Sequence, residues 1–174
     1  MAENAGVKSL HLLRHAKSSW DDPDLEDHDR PLAARGRKAG ALLASHFARQ
    51  GISVDRVLCS SAARARQTFE FVLPVLGGPL DIRIGPELYA AGVAELLQLL
   101  RAVDERASSV LVVGHNPTLQ DLTEWLAGDG EPEAWQEVRE KFPTAAMASL
   151  SAGGPWSELS PGTAYLESFF KPGN

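Results

Sequence analysis

Strand-like and helix-like segments alternate along most of this chain, and that order constrains its fold more than any other feature of the sequence. Short apolar runs predict strands, whereas apolar residues spaced three and four apart predict helices. The predicted strands cover residues 8–13, 54–59, 80–84, 109–114, 145–150 and 164–170. The predicted helices cover residues 36–50, 65–76, 93–103, 117–127 and 133–141. This alternation predicts an α/β sandwich with a mainly parallel sheet and helices on both faces.

Two stretches refine this architecture. Residues 109–114 are apolar and largely β-branched, which indicates a central strand buried on both sides. The last two predicted strands follow each other without a helix between them, so they are able to pair antiparallel. No repeat or linker divides the sequence, and we expect one domain over residues 1–174, with residues 1–6 as a flexible N-terminus.

The composition argues against nucleic-acid and membrane partners and predicts the compartment in which the protein works. Hydrophobic residues make up 44% and charged residues 23% of the chain, as in globular proteins that bury a full core. A net charge of −6 and a pI near 5.3 argue against binding to nucleic acid or to an anionic membrane surface. The apolar runs are too short to span a membrane, and the N-terminus lacks the pattern of a signal peptide. One cysteine fits a reducing compartment, so we expect a cytoplasmic protein.

The first predicted strand stops abruptly at Arg14-His15. Neutral imidazole is a competent nucleophile near pH 7, and a neighbouring guanidinium is suited to phosphate oxygens. Ligands of parallel sheets gather beyond the carboxyl ends of the strands. The dipeptide therefore stands where a nucleophile and an anion-binding group would be useful.

A second junction follows the strand predicted over residues 54–59. We expect Ser61 to cap the next helix, which would place Arg64 in the first helical turn. A cation at that position opposes the helix dipole. Either Arg64 is solvated there, or it shares a bound anion with the free backbone N–H groups of the helix.

A third junction is Gly114-His115-Asn116-Pro117, where we expect Asn116 as the helix cap and Pro117 as the first helical residue. Gly114 permits a close approach of the backbone and leaves His115 at the mouth of the sheet. The three junctions together predict a phosphate-sized cage of two arginines and two histidines. One histidine would attack while neutral, and the other would stabilise the phosphoryl oxygens.

These motifs resemble the histidine phosphatase superfamily, the phosphoglycerate mutase-like proteins, and within it the SixA-type phosphohistidine phosphatases. The resemblance rests on Arg14-His15-Ala16-Lys17-Ser18-Ser19-Trp20, Asp29-Arg30-Pro31-Leu32 followed by Arg35-Gly36, Ser60-Ser61 to Arg64, Gln67-Thr68, Gly114-His115-Asn116-Pro117 and Lys141-Phe-Pro-Thr144. It implies a three-layer α/β/α sandwich and transient phosphorylation of a histidine. By this resemblance the catalytic residues are His15, Arg14, Arg64 and His115, and the substrate-binding residues are Arg14, Arg64, His115 and Asn116. We expect neither a metal nor a cofactor.

The general acid is the part of the family pattern that this sequence does not identify. Glu87, in Pro86-Glu-Leu-Tyr89, is one candidate, and Asp21 with its neighbour Asp22 is the other. An alkoxide leaving group needs a proton, whereas the nitrogen of a phosphoramidate can arrive protonated. This favours phosphohistidine on a protein as the substrate. The alternatives are a phosphatase or mutase of small phosphorylated metabolites and a noncatalytic module that binds phosphorylated partners.

Several other features have a structural and a functional interpretation. Residues 21–29 carry six carboxylates, which form either a solvated loop or a flap near the site. Arg30 either pairs with Asp29 or lines the substrate entrance, and Trp20 either packs or forms a wall of the pocket. We expect Cys59 to be an unreactive strand residue, and the histidines without metal-ligand spacing to be structural, namely His11, His28 and His46.

Overall fold

A computed structural model describes residues 6–173 of the 174-residue chain. Its strands are β1 Lys8–Arg14, β2 Arg56–Ser60, β3 Asp81–Gly85, β4 Ser109–Gly114, β5 Ala127–Gly130, β6 Met147–Ala152 and β7 Ala164–Phe170. Its α-helices are α1 Ala34–Gln50, α2 Ala63–Val72, α3 Pro86–Tyr89, α4 Val93–Arg101, α5 Thr118–Leu126 and α6 Pro132–Glu140. The flexible N-terminus predicted over residues 1–6 falls, except for Gly6, outside the described residues.

All seven strands form one sheet, in the order β3-β2-β4-β1-β6-β7-β5. Only β6 runs against its neighbours, since it pairs antiparallel with β1 and β7 while every other pairing is parallel. The mainly parallel sheet is therefore confirmed, as is the antiparallel pairing of the two closing strands. No helix among residues 6–173 has the length and apolar character needed to cross a membrane.

Helices cover both faces of the sheet and complete the predicted three-layer α/β/α sandwich. On one face α1 and α2 bury a core that contains Phe47 and Phe69. On the other face α4, α5 and α6 bury a core that contains Leu122. The consecutive β4 residues Leu111 and Val112 belong to opposite cores because side chains alternate across a strand. This explains why the sequence of β4 is apolar without alternation.

Two short elements are missing from the sequence-based prediction. Helix α3 is a single turn, and β5 has the sequence Ala-Gly-Asp-Gly, which lacks any apolar pattern. A Cβ atom at Gly130 would meet the backbone and side chain of Leu166 in β7. Glycine thus permits the close backbone approach on which this pairing depends, and only the tertiary contact makes the segment a strand.

The helix caps also differ from the prediction. Ala62, whose methyl side chain cannot form a hydrogen bond, occupies the N-cap of α2 in place of Ser61, and the hydroxyl of Ser61 lies 2.8 Å from Nε2 of His28. Pro117 occupies the N-cap of α5, one residue later than expected. Asn116 still satisfies one of the free backbone N–H groups at the start of α5, since its Oδ1 accepts a hydrogen bond from the N–H of Gln120 at 3.3 Å.

Candidate active site

Strand order and register bring the two predicted histidines together. In the parallel pair of β1 and β4, Arg14 lies opposite Gly114, so His15 and His115 leave adjacent strand ends. Their ring centroids are 5.1 Å apart. The chain leaves β1 towards α1 on one face of the sheet and leaves β4 towards α5 on the other. A crevice opens at such a reversal, and the histidines lie in it.

A cavity of about 560 Å³ occupies this crevice. All five residues that the motifs singled out for catalysis or phosphate binding line it, namely Arg14, His15, Arg64, His115 and Asn116. Lys17, Arg30, Trp20 and Tyr89 complete much of the wall. None of its lining residues, all within the described part of the chain, carries a carboxylate. The cavity is therefore suited to an anion.

His15 is held as a neutral imidazole with one available lone pair. Its Nδ1 donates to the carbonyl oxygen of Ala16 at 2.7 Å, because a carbonyl can only accept. Its Nε2 therefore carries the lone pair and accepts a 3.4 Å hydrogen bond from Nε of Arg64. Burial is the main cause that lowers the pKa of His15 to about 3, and the nearby His115, Arg64 and Arg14 add to it. These features leave Nε2 as the nucleophilic atom.

His115 is oriented by a buried serine at the end of β2. Nε2 of His115 lies 2.7 Å from Oγ of Ser60, which is fully buried. This hydrogen bond fixes the ring and leaves its other nitrogen for a ligand. Burial first, and then the charge of Arg64, lower the pKa of His115 to about 4. A phosphate dianion in the cavity would oppose that shift and favour the imidazolium.

One backbone carbonyl holds both Arg14 and Asn116 in the cavity wall. The carbonyl oxygen of Phe142 accepts from Nη1 of Arg14 at 2.8 Å and from Nδ2 of Asn116 at 3.2 Å. Nε of Arg14 is buried without a hydrogen-bond partner among the described residues. Burial lowers the pKa of Arg14, and the charge of Arg64 lowers it further. A bound anion would offset this unfavourable concentration of positive charge.

Arg64 is anchored by Asp27, a residue that the motif analysis did not single out. Nη1 of Arg64 donates to the backbone oxygen of Asp27 at 2.7 Å, and Nη2 donates to its Oδ2 at 2.9 Å. The hydroxyl of Tyr89 also donates to this Oδ2, at 2.7 Å. That hydrogen bond, followed by those from Arg30 and Arg64, holds the pKa of the Asp27 carboxyl well below its usual range. Asp27 is thus an anion at neutral pH and a poor proton donor.

The structure does not bring the candidate acids Glu87 and Asp21 to the cavity. Glu87 accepts a hydrogen bond from Nε of Arg83 at 2.8 Å, and its pKa is lowered first by its own backbone N–H and then by Arg83. Asp21 is exposed and lines a separate depression that shares no residue with the cavity. Neither carboxyl group lies where it could protonate a leaving group held between the histidines.

The acidic stretch combines both interpretations that the sequence allowed. Most of residues 21–29 are exposed, and among them Asp27 contacts Arg64 of the cavity wall without lining the cavity itself. Of the two alternatives for Arg30, the pair with Asp29 does not form, because Arg30 instead contacts Asp27 at 2.9 Å. Arg30 does line the cavity, and its guanidinium stacks on the ring of Trp20 at 3.6 Å from the centroid. Trp20 also lines the cavity, so it forms part of the wall, and 70% of its surface is exposed to solvent.

Asp27, Ser60 and Tyr89 contact the site residues, although the sequence predicted no role there for any of the three. Ser60 stood within a quoted motif, and its place at the end of a buried strand was a usable signal. Asp27 was one of several carboxylates in an acidic stretch, so its sequence gave no reason to prefer it. Tyr89 is the last residue of α3, a helix of one turn that is too short for any periodicity to predict.

The remaining histidines and the cysteine lie apart from the cavity wall. His11 contacts Ser149, His28 contacts Ser61, and His46 stacks on Phe170 at a centroid distance of 3.9 Å. No group of three His, Cys, Asp or Glu side chains within residues 6–173 is arranged to hold a metal ion. Burial raises the pKa of the Cys59 thiol to about 12, so the thiolate form is disfavoured.

The fold and the cavity define a class: α/β proteins with histidines and arginines gathered around an anion site at the carboxyl edge of the sheet. Residues 10–89 match the model of the histidine phosphatase superfamily, branch 1. Phosphohistidine phosphatase SixA of Escherichia coli is 32% identical over 146 residues, which cover 82% of this chain and 84% of that protein. The chain therefore belongs to the histidine phosphatase superfamily.

Two further similarities cover nearly the whole chain. An uncharacterized protein of Mycobacterium tuberculosis is 40% identical over 164 residues, which cover 92% of this chain and 99% of that protein. A solved structure of the protein histidine phosphatase SixA complexed with tungstate has a TM-score of 0.75 and 28% identity. That similarity covers 94% of this chain and 97% of the other. It confirms the histidine phosphatase fold, and membership in the superfamily supports phosphatase activity.

Proposed function

We propose that this protein is a metal-independent phosphatase that hydrolyses phosphohistidine on proteins through a phosphorylated His15. One observation carries the proposal: neutral His15 and His115 face one cavity together with Arg14 and Arg64. A nucleophile, two permanent cations and a second imidazole within one anion-sized space are the parts that phosphoryl transfer needs.

In the first step, Nε2 of His15 attacks phosphorus while the bond between phosphorus and the substrate nitrogen breaks. Arg14 and Arg64 bind the oxygens of the transferring group, and His115 donates a hydrogen bond to them. The electron pair of the broken bond stays on the substrate imidazole, which arrives protonated on its other ring nitrogen and therefore leaves as a neutral ring. In the second step, water attacks phosphorus, the bond to Nε2 breaks, and inorganic phosphate leaves.

The electrostatics of the cavity favour a nitrogen leaving group over an oxygen one. An alkoxide must be protonated as it departs, and the lining residues, which all lie within residues 6–173, include no carboxyl group. Asp27, the nearest carboxylate that contacts the site, is ionised by its partners. A phosphorylated imidazole can leave as a neutral ring, so the cavity suits it without a strong acid. The similarity to phosphohistidine phosphatase SixA is consistent with this substrate. So is the similarity to the SixA structure that contains tungstate, because tungstate is an oxyanion with the tetrahedral shape of phosphate.

The decisive experiment asks whether His15 becomes phosphorylated during turnover. We expect a peptide carrying ³²P-phosphohistidine to leave an acid-labile, alkali-stable label on the wild-type protein after rapid quenching. His15→Asn should carry no label and lose activity by about 10³-fold or more. His46→Asn, the same substitution at a histidine of α1 that does not line the cavity, is the control and should retain both the label and the activity. A labelled and active His15→Asn protein would contradict the proposal.

The same assay separates the rival functions. A phosphatase or mutase of small metabolites would release phosphate from sugar phosphates or nucleotides faster than from the phosphohistidine peptide. A noncatalytic module would bind the peptide without releasing phosphate. We expect unchanged turnover after treatment with EDTA, and a loss of activity that Mg²⁺ or Zn²⁺ restores would contradict metal independence.

A further inference from the structure

A second, positively charged groove adjoins the active-site cavity. It has a volume of about 780 Å³ and shares Lys17 and Thr144 with the lining of the cavity. Its cationic side chains are Lys17, Arg35, Lys38, Lys141 and Lys171. The groove thus gathers five of the 17 lysines and arginines of a chain whose net charge is −6. We call it the basic groove.

Four separate segments deliver these charges. Lys17 follows β1, Arg35 and Lys38 lie in the first turns of α1, Lys141 precedes β6, and Lys171 follows β7. The backbone of Lys17 lies at the start of α1, since its carbonyl oxygen accepts a hydrogen bond at 2.9 Å from the N–H of Ala33, the N-cap of that helix. Charges that are distant in sequence converge here because of the tertiary fold, and no local charge run explains them.

Most of these charges have no internal role. Lys171 pairs with Glu137 at 3.1 Å. For Lys17, Arg35, Lys38 and Lys141 no ion pair occurs within residues 6–173. Arg35 and Lys38 also oppose the dipole of a 17-residue helix whose first turn contains no acidic residue. These positions therefore do not serve the stability of the free protein and indicate an anionic partner.

The lining of the basic groove favours a peptide segment over a nucleotide or a second phosphate. Among its lining residues, which belong to the described chain, none is aromatic, so no ring is available to stack on a base. Leu42, which is 38% exposed, supplies an apolar floor together with Ala39 and Pro143. Lysine side chains that no ion pair holds in place can follow several carboxylates spread along a peptide. A single phosphate is typically bound by paired arginines, whose planar guanidinium groups match its oxygens.

We propose that an acidic segment of the substrate protein, next to its phosphohistidine, binds in the basic groove while the phosphoryl group enters the cavity. This deepens the proposed function and rests on it. The shared residue Lys17 makes the two sites continuous, so one extended chain can occupy both. Charge complementarity there would raise the association rate and select acidic partners, although the protein as a whole is acidic.

The test compares two synthetic peptides that carry one phosphohistidine flanked either by glutamates or by glutamines. At low salt we expect kcat/KM to be about 10-fold higher for the glutamate peptide, because several exposed charge pairs act together. Lys38→Glu and Lys141→Glu, on two different segments, should each reduce this preference by about 3-fold or more. At about 1 M salt, where the Debye length is about 3 Å, the preference should nearly vanish.

Arg49→Glu is the matched control, since it makes the same change of net charge at the other end of α1. Lys38 and Arg49 are eleven residues apart, which corresponds to about 16 Å along the helix. The control should keep the preference of the wild-type protein. Free N-phosphohistidine, which has no flanking chain, should be hydrolysed equally by all four proteins, since neither lysine lines the cavity.

Each outcome distinguishes this proposal from the proposed function. Equal kcat/KM for the two peptides in the wild-type protein, or a preference that survives both lysine variants, would overturn the role of the basic groove. Hydrolysis of free N-phosphohistidine would still support the phosphatase. A third outcome is that inorganic pyrophosphate inhibits the wild-type protein, that only Lys38→Glu relieves this inhibition, and that the two peptides are hydrolysed equally. That result would assign the groove to a second phosphate and overturn the proposal. Failure to hydrolyse any phosphohistidine compound would overturn the proposed function itself.

Discussion

At the residue scale, the reactivity of His15 depends on its burial and on one carbonyl group. His15 is 7% exposed, and the hydrogen bond from its Nδ1 to Ala16 selects the tautomer with a lone pair on Nε2. Arg14 and Arg64 lower its pKa further while they provide the charge that would bind phosphate. The same cations therefore keep the nucleophile neutral and attract its target.

Asp27 provides a residue-scale prediction because it contacts two nearly buried guanidiniums, those of Arg30 and Arg64. We expect Asp27→Asn to lower the free energy of unfolding by about 1–2 kcal/mol at pH 7, less than for a fully buried pair because the carboxylate is half exposed. Asp29→Asn, the control, removes only an exposed contact with His28 and should cost less than about 0.5 kcal/mol. Urea unfolding measures both. Equal losses would show that Asp27 does not anchor the arginines.

At the element scale, the site is assembled from strand ends and helix starts. β1, β4 and β2 are neighbours in the sheet, so the residues that follow them converge whatever their distance in sequence. Helix α1 completes the arrangement because its first turns pack directly on the segment after His15. This contact relies on Gly36, whose position leaves no room for a side chain beside the carbonyl oxygen of Lys17.

Gly36→Ala is therefore expected to destabilise the protein, although alanine is the better helix former. The added Cβ would overlap the backbone of Lys17. We expect a loss of about 1–3 kcal/mol, as for overpacking, in place of the usual gain of about 0.5–1 kcal/mol. Gly153→Ala, where nothing lies within 4 Å of the added atom, should change stability by less than about 0.5 kcal/mol. Thermal unfolding compares the two, and an unchanged melting temperature for Gly36→Ala would refute the contact.

At the scale of the whole molecule, three partly or fully buried histidines couple stability to pH. Burial lowers the pKa values of His11 and His115 to about 4 and that of His15 to about 3. The pKa of histidine in an unfolded chain is about 6.5. Between these values the unfolded chain binds more protons than the folded protein, so the free energy of unfolding falls as the pH drops from about 6.5 towards 4.

This linkage predicts that the protein is less stable at pH 5 than at pH 7 and that His11 accounts for part of the difference. We expect His11→Asn to reduce the difference by about 1–2 kcal/mol, because its titrating group is removed. Ser149→Ala is the control, since it removes the hydrogen-bond partner of His11 but keeps the imidazole. Urea unfolding at both pH values provides the measurement. An unchanged difference in His11→Asn would contradict the linkage.

The sequence predicted the strands of the central sheet closely because burial on both faces leaves an unmistakable apolar run, as in β4. It missed β5, whose glycines become a strand only beside β7. Among the site residues, His15 and His115 were recognisable because each stands at a sharply marked end of a strand. Asp27 was not, because six carboxylates in one stretch are equivalent until the path of the loop selects one. The single domain over residues 1–174 and the cytoplasmic location stay predictions.

The sequence by itself determined which side chains are able to do chemistry and at which junctions they stand. Residue type, strand end and helix start are local properties, and short-range sterics and burial patterns encode them. Only the tertiary structure decided that Arg14 lies opposite Gly114, that Asp27 holds Arg64, and that four segments form the basic groove. The physical reason is that strand order, register and loop path come from contacts between distant parts of the chain, which no local pattern specifies.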